Sequence, residues 1–316
     1  MIESLRKSTG RWLIAAIVLA VSGCASGGSR ETPTTASGPT LAKATLFGVA
    51  GDHFVSIDAV TGLATEITPS PDLWEVGALT YDPASRTFYA VAHFSSEPEL
   101  IAIDRDNGDT RNIGPIDMPT LDLTLVEGLA FDPVDGVLYA TGNRSTFASE
   151  RLLTLDVTNG EARMVGQIRG TPQNDVDALV AIAGKLYGVD TAGSSGGVYE
   201  IDKQSARASL QPRRFPRAVT DLAFDPKSRR LLATVEDAKL LLAMTQNGQI
   251  SELGPTHSET GLGGWPISAV ASVTPATGLF GDDFESGNLS FWGIPHPVPG
   301  TPDPLPQGER APPPSQ

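Results

Sequence analysis

The chain has 316 residues, 40% of them hydrophobic and 19% charged, which is enough apolar material for a packed core. Its 33 glycines and 25 prolines imply many tight turns and favour an all-β domain. A formal net charge of −14 excludes nucleic acid as a natural partner, and a single cysteine excludes an internal disulfide.

The first predicted element is a leader. Arg6, Lys7 and Arg11 precede an apolar run from Trp12 to Val21, and small residues then lead to Cys24. The run is roughly ten residues, about half of what a helix needs to cross the hydrocarbon core, so it fits a cleaved signal segment better than a permanent span. Val21-Ser22-Gly23-Cys24 resembles the bacterial lipobox. That resemblance implies cleavage before Cys24, a diacylglycerol on its thiol and anchoring of the chain to a lipid bilayer. Ala25 stands where aspartate would signal inner-membrane retention, which favours the outer membrane. The alternative is an ordinary cleaved leader that happens to end in a cysteine. The expected organisation is a signal peptide over 1–23, lipidated Cys24 with a flexible Gly/Ser/Thr/Pro tether over 24–43, a folded domain over 44–275, a cap segment over 276–293 and a Pro-rich disordered tail over 294–316.

Within the folded span one pattern recurs: Val76–Pro83 (VGALTYDP), Val126–Pro133 (VEGLAFDP), Val176–Ile182 (VDALVAI), Val219–Pro226 (VTDLAFDP) and Ile267–Val273 (ISAVASV). The starts lie 50, 50, 43 and 48 residues apart, the spacing of a propeller blade. Each of the first four is followed by a second run (Thr87–Ala92, Val137–Thr141, Lys185–Val189, Arg230–Val235). A third run follows (Leu100–Asp104, Leu152–Asp156, Val198–Asp202, Leu240–Thr245), and a turn then leads to a fourth strand. Four short strands per unit make a β-propeller blade. Leu46–Ala50, Phe54–Asp58 and Ala64–Thr68 supply only three strands, and Ile267–Val273 supplies the missing one, so the two ends of the chain are expected to close the ring. The count is five four-stranded blades, with six as the alternative.

Two turn signals recur. Asp-Pro at 82/83, 132/133 and 225/226 starts a turn in which aspartate accepts backbone N–H bonds and proline sets φ. Asp58 to Gly62, Asp104 to Gly108 and Asp156 to Gly160 read as tight hairpins in which glycine supplies positive φ. These aspartates are expected to be structural. The Asp-x-x-Thr/Asn-Gly hairpin resembles that of quinoprotein-like and YVTN-like propeller repeats over about Leu46 to Val273, a likeness that implies a fold and no particular function. The tryptophan that follows the glycine in the quinoprotein repeat is lacking, so a quinone cofactor is not implied. Farther on, Phe284, Phe291 and Trp292 around the run Asp-Asp-Phe-Glu-Ser-Gly are expected to pack as a cap on the propeller wall.

By the geometry of propellers, the starts of the first strands and the ends of the second strands share one face. Here those places carry Glu75, Glu127, Asp177 and Asp221, and Asp52, His93, Asn143, Asp190 and Glu236. The face should be acidic. Glu127, Asp177, Asp221, His93, Asn143, Asp190 and Glu236 form the candidate ligand or cation site, filled by water or by a hard cation such as Ca²⁺. No other cofactor is expected. His53, His257 and His296 lack zinc-like spacing, no Gly-x-Ser-x-Gly elbow occurs, and Gly193–Gly197 lacks a phosphate-loop lysine. Repeats without a specific catalytic motif read as a non-catalytic envelope lipoprotein whose propeller binds a protein, peptide or glycan. The alternative is a cation-dependent, lactonase-like propeller hydrolase with His93 as base.

Overall fold

A computed structural model of the chain describes residues 45–92, 97–118, 123–143, 150–191, 196–235, 241–245, 247–254 and 267–273. The leader, the tether, the C-terminal cap and tail, and with them Cys24, lie outside the described residues, as do His93 and Glu236.

Among the described residues, twenty strands form five four-stranded antiparallel sheets. The first sheet joins the first and last of these strands. Its inner strand is β20 (Ile267–Ser272), followed outward by β1 (Leu46–Ala50), β2 (His53–Ile57) and β3 (Ala64–Pro69). The other four are consecutive in sequence. Blade 2 runs outward from β4 (Ala78–Asp82) through β5 (Thr87–Ala92) and β6 (Glu99–Asp104) to β7 (Thr110–Pro115). Blade 3 is β8 (Leu125–Asp132), β9 (Val137–Asn143), β10 (Arg151–Leu155) and β11 (Ala162–Gln167). Blade 4 is β12 (Ala178–Ile182), β13 (Lys185–Asp190), β14 (Gly196–Ile201) and β15 (Ala208–Phe215), and blade 5 is β16 (Val219–Asp225), β17 (Arg230–Val235), β18 (Leu241–Met244) and β19 (Ile250–Leu253). The inner strands touch in the order β20, β4, β8, β12, β16 and back to β20. The fold is a five-bladed β-propeller closed by its terminal strands, and the six-blade alternative is set aside.

The period-2 geometry of a strand explains the packing. Along β5, Phe88, Ala90 and Ala92 enter the core shared with blade 1, while Tyr89 and Val91 enter the core shared with blade 3. Both faces of such a strand are buried, which is why the inner and middle strands read as nearly continuous apolar runs. One buried cluster lies at each blade interface. The outer strands carry the polar residues, as in β7 and β11.

The turns form as their sequences demand. Asp82 Oδ1 accepts the Ala84 N–H at 2.8 Å and Asp132 Oδ1 that of Val134 at 2.9 Å. Asp58 Oδ1 accepts the N–H groups of Val60 and Thr61 at 2.9 and 2.8 Å, and these bonds hold its carboxyl below the usual range. Asp132 has a second task. It is wholly buried and takes Lys203 Nζ from blade 4 at 2.6 Å, an ion pair that ties two blades together.

Candidate functional site

Because successive strands run in opposite directions, the beginning of each inner strand lies beside the end of the next strand outward. Leu125 at the start of β8 faces Asn143 at the end of β9, and Ala178 faces Val189 on β13. We call this end of the ring the upper face. The lower end of the channel is lined by apolar groups such as Leu79, Tyr81, Phe131, Ile182, Phe224 and Ala271 around a cavity of about 90 Å³, room for a few waters.

At the upper face, the junction of blades 3 and 4 gathers carboxylates. Glu127 sits where the register of β8 against β9 shifts between Val126 and Leu129, a bulge that re-aims its side chain. The bulge is held by the Gly128 N–H, which donates to Thr141 Oγ1 at 2.9 Å while that hydroxyl donates to the Val176 carbonyl at 2.9 Å. A side chain at 128 would meet Thr141 Oγ1 at 2.6 Å, so glycine is required there. Glu150 immediately precedes β10 and is wholly buried. Its Oε2 accepts the Val176 N–H, while its Oε1 has no hydrogen-bond donor among the described residues. Asp175 belongs to the link into β12. That link is fixed by bonds between Asp175 and Thr171, by Asn174 at a positive φ of 53°, and by the Glu150 N–H on the Asn174 carbonyl at 3.1 Å.

One carboxylate oxygen from each of Glu127, Glu150 and Asp175 lies within 4.8 Å of the others, so among the described residues these three are placed to hold a metal. Asp177 is close enough to act on all three by its charge, and its Oδ2 accepts the N–H and Oγ1–H of Thr191, each at 2.8 Å. Among the described residues, no Lys, Arg or His pairs with Glu127, Glu150, Asp175 or Asp177. Burial, then the charges of Asp177 and Asp175, push the Glu127 carboxyl up to about 8. Burial first and Asp177 second raise Asp175 to about 6, and burial holds Glu150 well above the carboxylate range. Burial also raises Asp177, against its bonds to Thr191. Glu127 therefore holds its proton near neutral pH and would release it to a cation.

The remaining sequence-derived candidates fall in several places. Asp190 closes β13, and its Oδ2 accepts the Gln173 N–H at 3.4 Å. Asn143 ends β9, buried, with no donor to its Oδ1 among the described residues. Asp221 is wholly buried inside the channel, where its Oδ2 accepts the N–H groups of Leu79 on β4 at 3.1 Å and of Val270 on β20 at 2.9 Å. The structure thus gathers Glu127 and Asp177 and gives Asp221 a separate position as a bridge between inner strands. His93 and Glu236 lie outside the described residues. Glu150 and Asp175 were not foreseen. The signal for Glu150 was available: in an antiparallel blade the residue entering the third strand shares the face of the residue leaving the second.

No curated protein sequence matches the chain. Among solved structures, a chain of a nidogen/laminin complex is similar with a TM-score of 0.50 and 12% identity over 73% of this chain and 98% of that one. TolB from Acinetobacter baumannii follows with a TM-score of 0.47 and 13% identity over 72% of this chain and 66% of that one. A gluconolactonase from Xanthomonas campestris has a TM-score of 0.40 and 15% identity over 58% and 62%. At these identities the likeness is one of fold. A family model described as "Repeat of unknown function (DUF6923)" matches residues 64–219, just under half of the chain, and that span supports the repeat reading and contains all four clustered carboxylates.

Proposed function

We propose that the chain is an envelope lipoprotein, anchored through Cys24, whose propeller is a non-catalytic platform presenting its upper face to a protein, peptide or glycan. The observation that carries this reading is the gathering of Glu127, Glu150, Asp175 and Asp177 at one blade junction without a pairing cation among the described residues. Local turn chemistry does not call for it. The hairpin aspartates cap their own turns, whereas these four come from three separate segments and raise one another's proton affinity at a cost in stability. The closed ring supplies a rigid scaffold, and binding groups on loops above such a scaffold are held in place before the partner arrives.

The test is cross-linking in intact envelopes followed by recovery of the chain. A partner should be recovered with the wild type and depleted roughly tenfold, about 1.4 kcal/mol, with Glu127→Gln combined with Asp177→Asn. Cys24→Ser should move the protein out of the membrane fraction or leave its precursor uncleaved. Equal recovery from both chains would remove the platform reading.

A second reading, a cation-dependent hydrolase, is favoured by one observation: a half-buried carboxyl raised to about 8 both gives and accepts a proton near neutral pH. Turnover of lactones or phosphoesters that disappears in Glu127→Gln would establish this reading in place of the first.

A further inference from the structure

We propose that Glu127, Glu150 and Asp175 form a binding site for one hard divalent cation, of the Ca²⁺ type, at the junction of blades 3 and 4. It rests on the platform reading only for what the cation does, since the bound ion would neutralise and stiffen the face offered to the partner.

Geometry carries the inference. Ca²⁺ takes oxygen ligands at 2.3–2.6 Å, so two oxygens on opposite sides of it stand about 4.8 Å apart. The three carboxylate oxygens already lie within 4.8 Å of one another, the spacing that sharing one ion requires. They come from three segments, the β8 bulge, the start of β10 and the link into β12, each pinned by backbone bonds of its own.

A second observation is independent of the clustering. Glu150 is wholly inaccessible to solvent and is fixed through Oε2 by the Val176 N–H, while its Oε1 takes no N–H or hydroxyl donor among the described residues; the Asp175 carboxyl, with which it shares a proton when no ion is bound, is its side-chain neighbour. A buried oxygen without a donor is costly, and native structures rarely keep one without an ion, a proton or a water to satisfy it. Carrying the β9–β10 register one residue beyond Arg151 opposite Gly142 places Glu150 beside Asn143, whose buried Oδ1 also lacks a donor. Two acceptors that want positive charge therefore occupy neighbouring positions at the same end of one sheet. Glu127 and Asp175 are half-buried, which leaves solvent a route by which an ion and its remaining waters enter.

The experiment uses the detergent-solubilised full chain, freed of metals by chelation and without any partner. Calorimetric titration with CaCl₂ should give one saturable site per chain, and the melting temperature should rise with calcium concentration because the folded ring alone holds the ligands together. MgCl₂ should bind more weakly, since Mg²⁺ needs shorter bonds and keeps its waters. Glu150→Gln and Asp175→Asn should each weaken calcium binding at least about tenfold, because ligand charge sets the affinity of such sites. Exposed Glu161→Gln should leave it unchanged. Calcium should raise the melting temperature of Glu150→Gln less than that of the wild type at the same concentration. If Glu150→Gln does not fold, Asp175→Asn decides the matter. No saturable binding up to about 10 mM calcium, above the range of weak extracellular modules, would overturn the inference. So would binding unaltered in both variants. Calcium binding with no partner recovered removes the platform alone, and partner recovery without calcium binding removes the cation alone.

Discussion

The Asp221 carboxylate takes two backbone N–H bonds on one oxygen and has no described donor on the other, in a place solvent does not reach. Burial holds its pKa well above that of an ordinary aspartate, against the bonds from Val270 and Leu79. The folded ring therefore keeps a proton that the unfolded chain has already released. The stability Asp221 contributes is full below about pH 4 and is lost as the pH rises through its folded pKa. Glu127, at about 8, and Asp175, at about 6, act in the same direction, so the metal-free protein should lose stability between about pH 4 and pH 8. Asp221→Asn keeps an oxygen for Leu79 and Val270 and removes the buried charge. Its melting temperature in chelator should overtake that of the wild type as the pH rises, and a gap that stays constant from about pH 5 to about pH 9 would contradict the argument. Asp221→Ala should cost roughly 2–5 kcal/mol at any pH in that range, because two buried N–H groups lose their acceptor. The sequence makes Glu127, Asp177 and Asp221 visible as acids at the starts of inner strands. Aligned on the repeat, however, Asp221 stands one position beyond Glu127, level with Gly128, and a one-residue offset along a strand changes the side on which a side chain emerges, so that Asp221 enters the channel and Glu127 the junction of blades.

At the scale of the element, the hairpin between the third and fourth strands does more than reverse the chain. Gly108 and Gly160 have φ of 77° and 82°, as the sequence pattern implies. Each also presses on the outer strand of the preceding blade: a Cβ on Gly108 would meet Thr68 Cγ2 at 2.6 Å, and one on Gly160 would meet the Pro115 carbonyl oxygen at 2.6 Å. Blade 4 solves the same contact in reverse. There Ala206 occupies the left-handed position at φ 58°, and the preceding outer strand offers Gly166, whose own Cβ would lie 3.3 Å from that of Ala206. Gly160→Ala combines backbone strain with a clash against main chain and should cost roughly 2–4 kcal/mol. Ala206→Gly relieves strain and loses one methyl contact, so it should stay within about 1 kcal/mol of the wild type. Thermal melts of both variants decide this, at about 2–4 °C per kcal/mol for a domain of this size. Equal shifts would mean that the contact does not matter. Strand positions were legible because short apolar runs and Asp-Pro punctuation recur from blade to blade and both follow from local geometry. The docking of each hairpin on its neighbour was not, since it joins residues about forty to fifty positions apart that carry no shared pattern.

For the molecule as a whole, the decisive contact is the one made by β20. Ala269 and Ala271 enter the core between blades 1 and 2, Ile267 and Val270 enter the core between blades 5 and 1, and the Val270 N–H reaches Asp221. A chain ending at Gly254 loses the seal on both interfaces and leaves β1 as an unpaired inner edge, which is a template for association with other chains. Such a chain should lack the cooperative melt of the parent and form oligomers in sedimentation. That alone would not separate the closure of the ring from the mere loss of apolar residues. The register provides the control. Val273 N–H donates to the Thr45 carbonyl at 2.8 Å, and Ser272 lies opposite Leu46, so β20 and β1 are already an antiparallel pair that lacks only its turn. Placing residues 267–273 directly before Thr45 through Asn-Gly, a two-residue hairpin turn, would make all five blades continuous in sequence while keeping every ring contact. Closure would then be made locally within one hairpin, at a smaller entropic cost than joining strands from opposite ends of the chain. The permuted chain should melt in one transition within about 5 °C of the parent. If it melts like the truncated chain, the terminal strand acts through its covalent position after blade 5 and not through the closure of the ring.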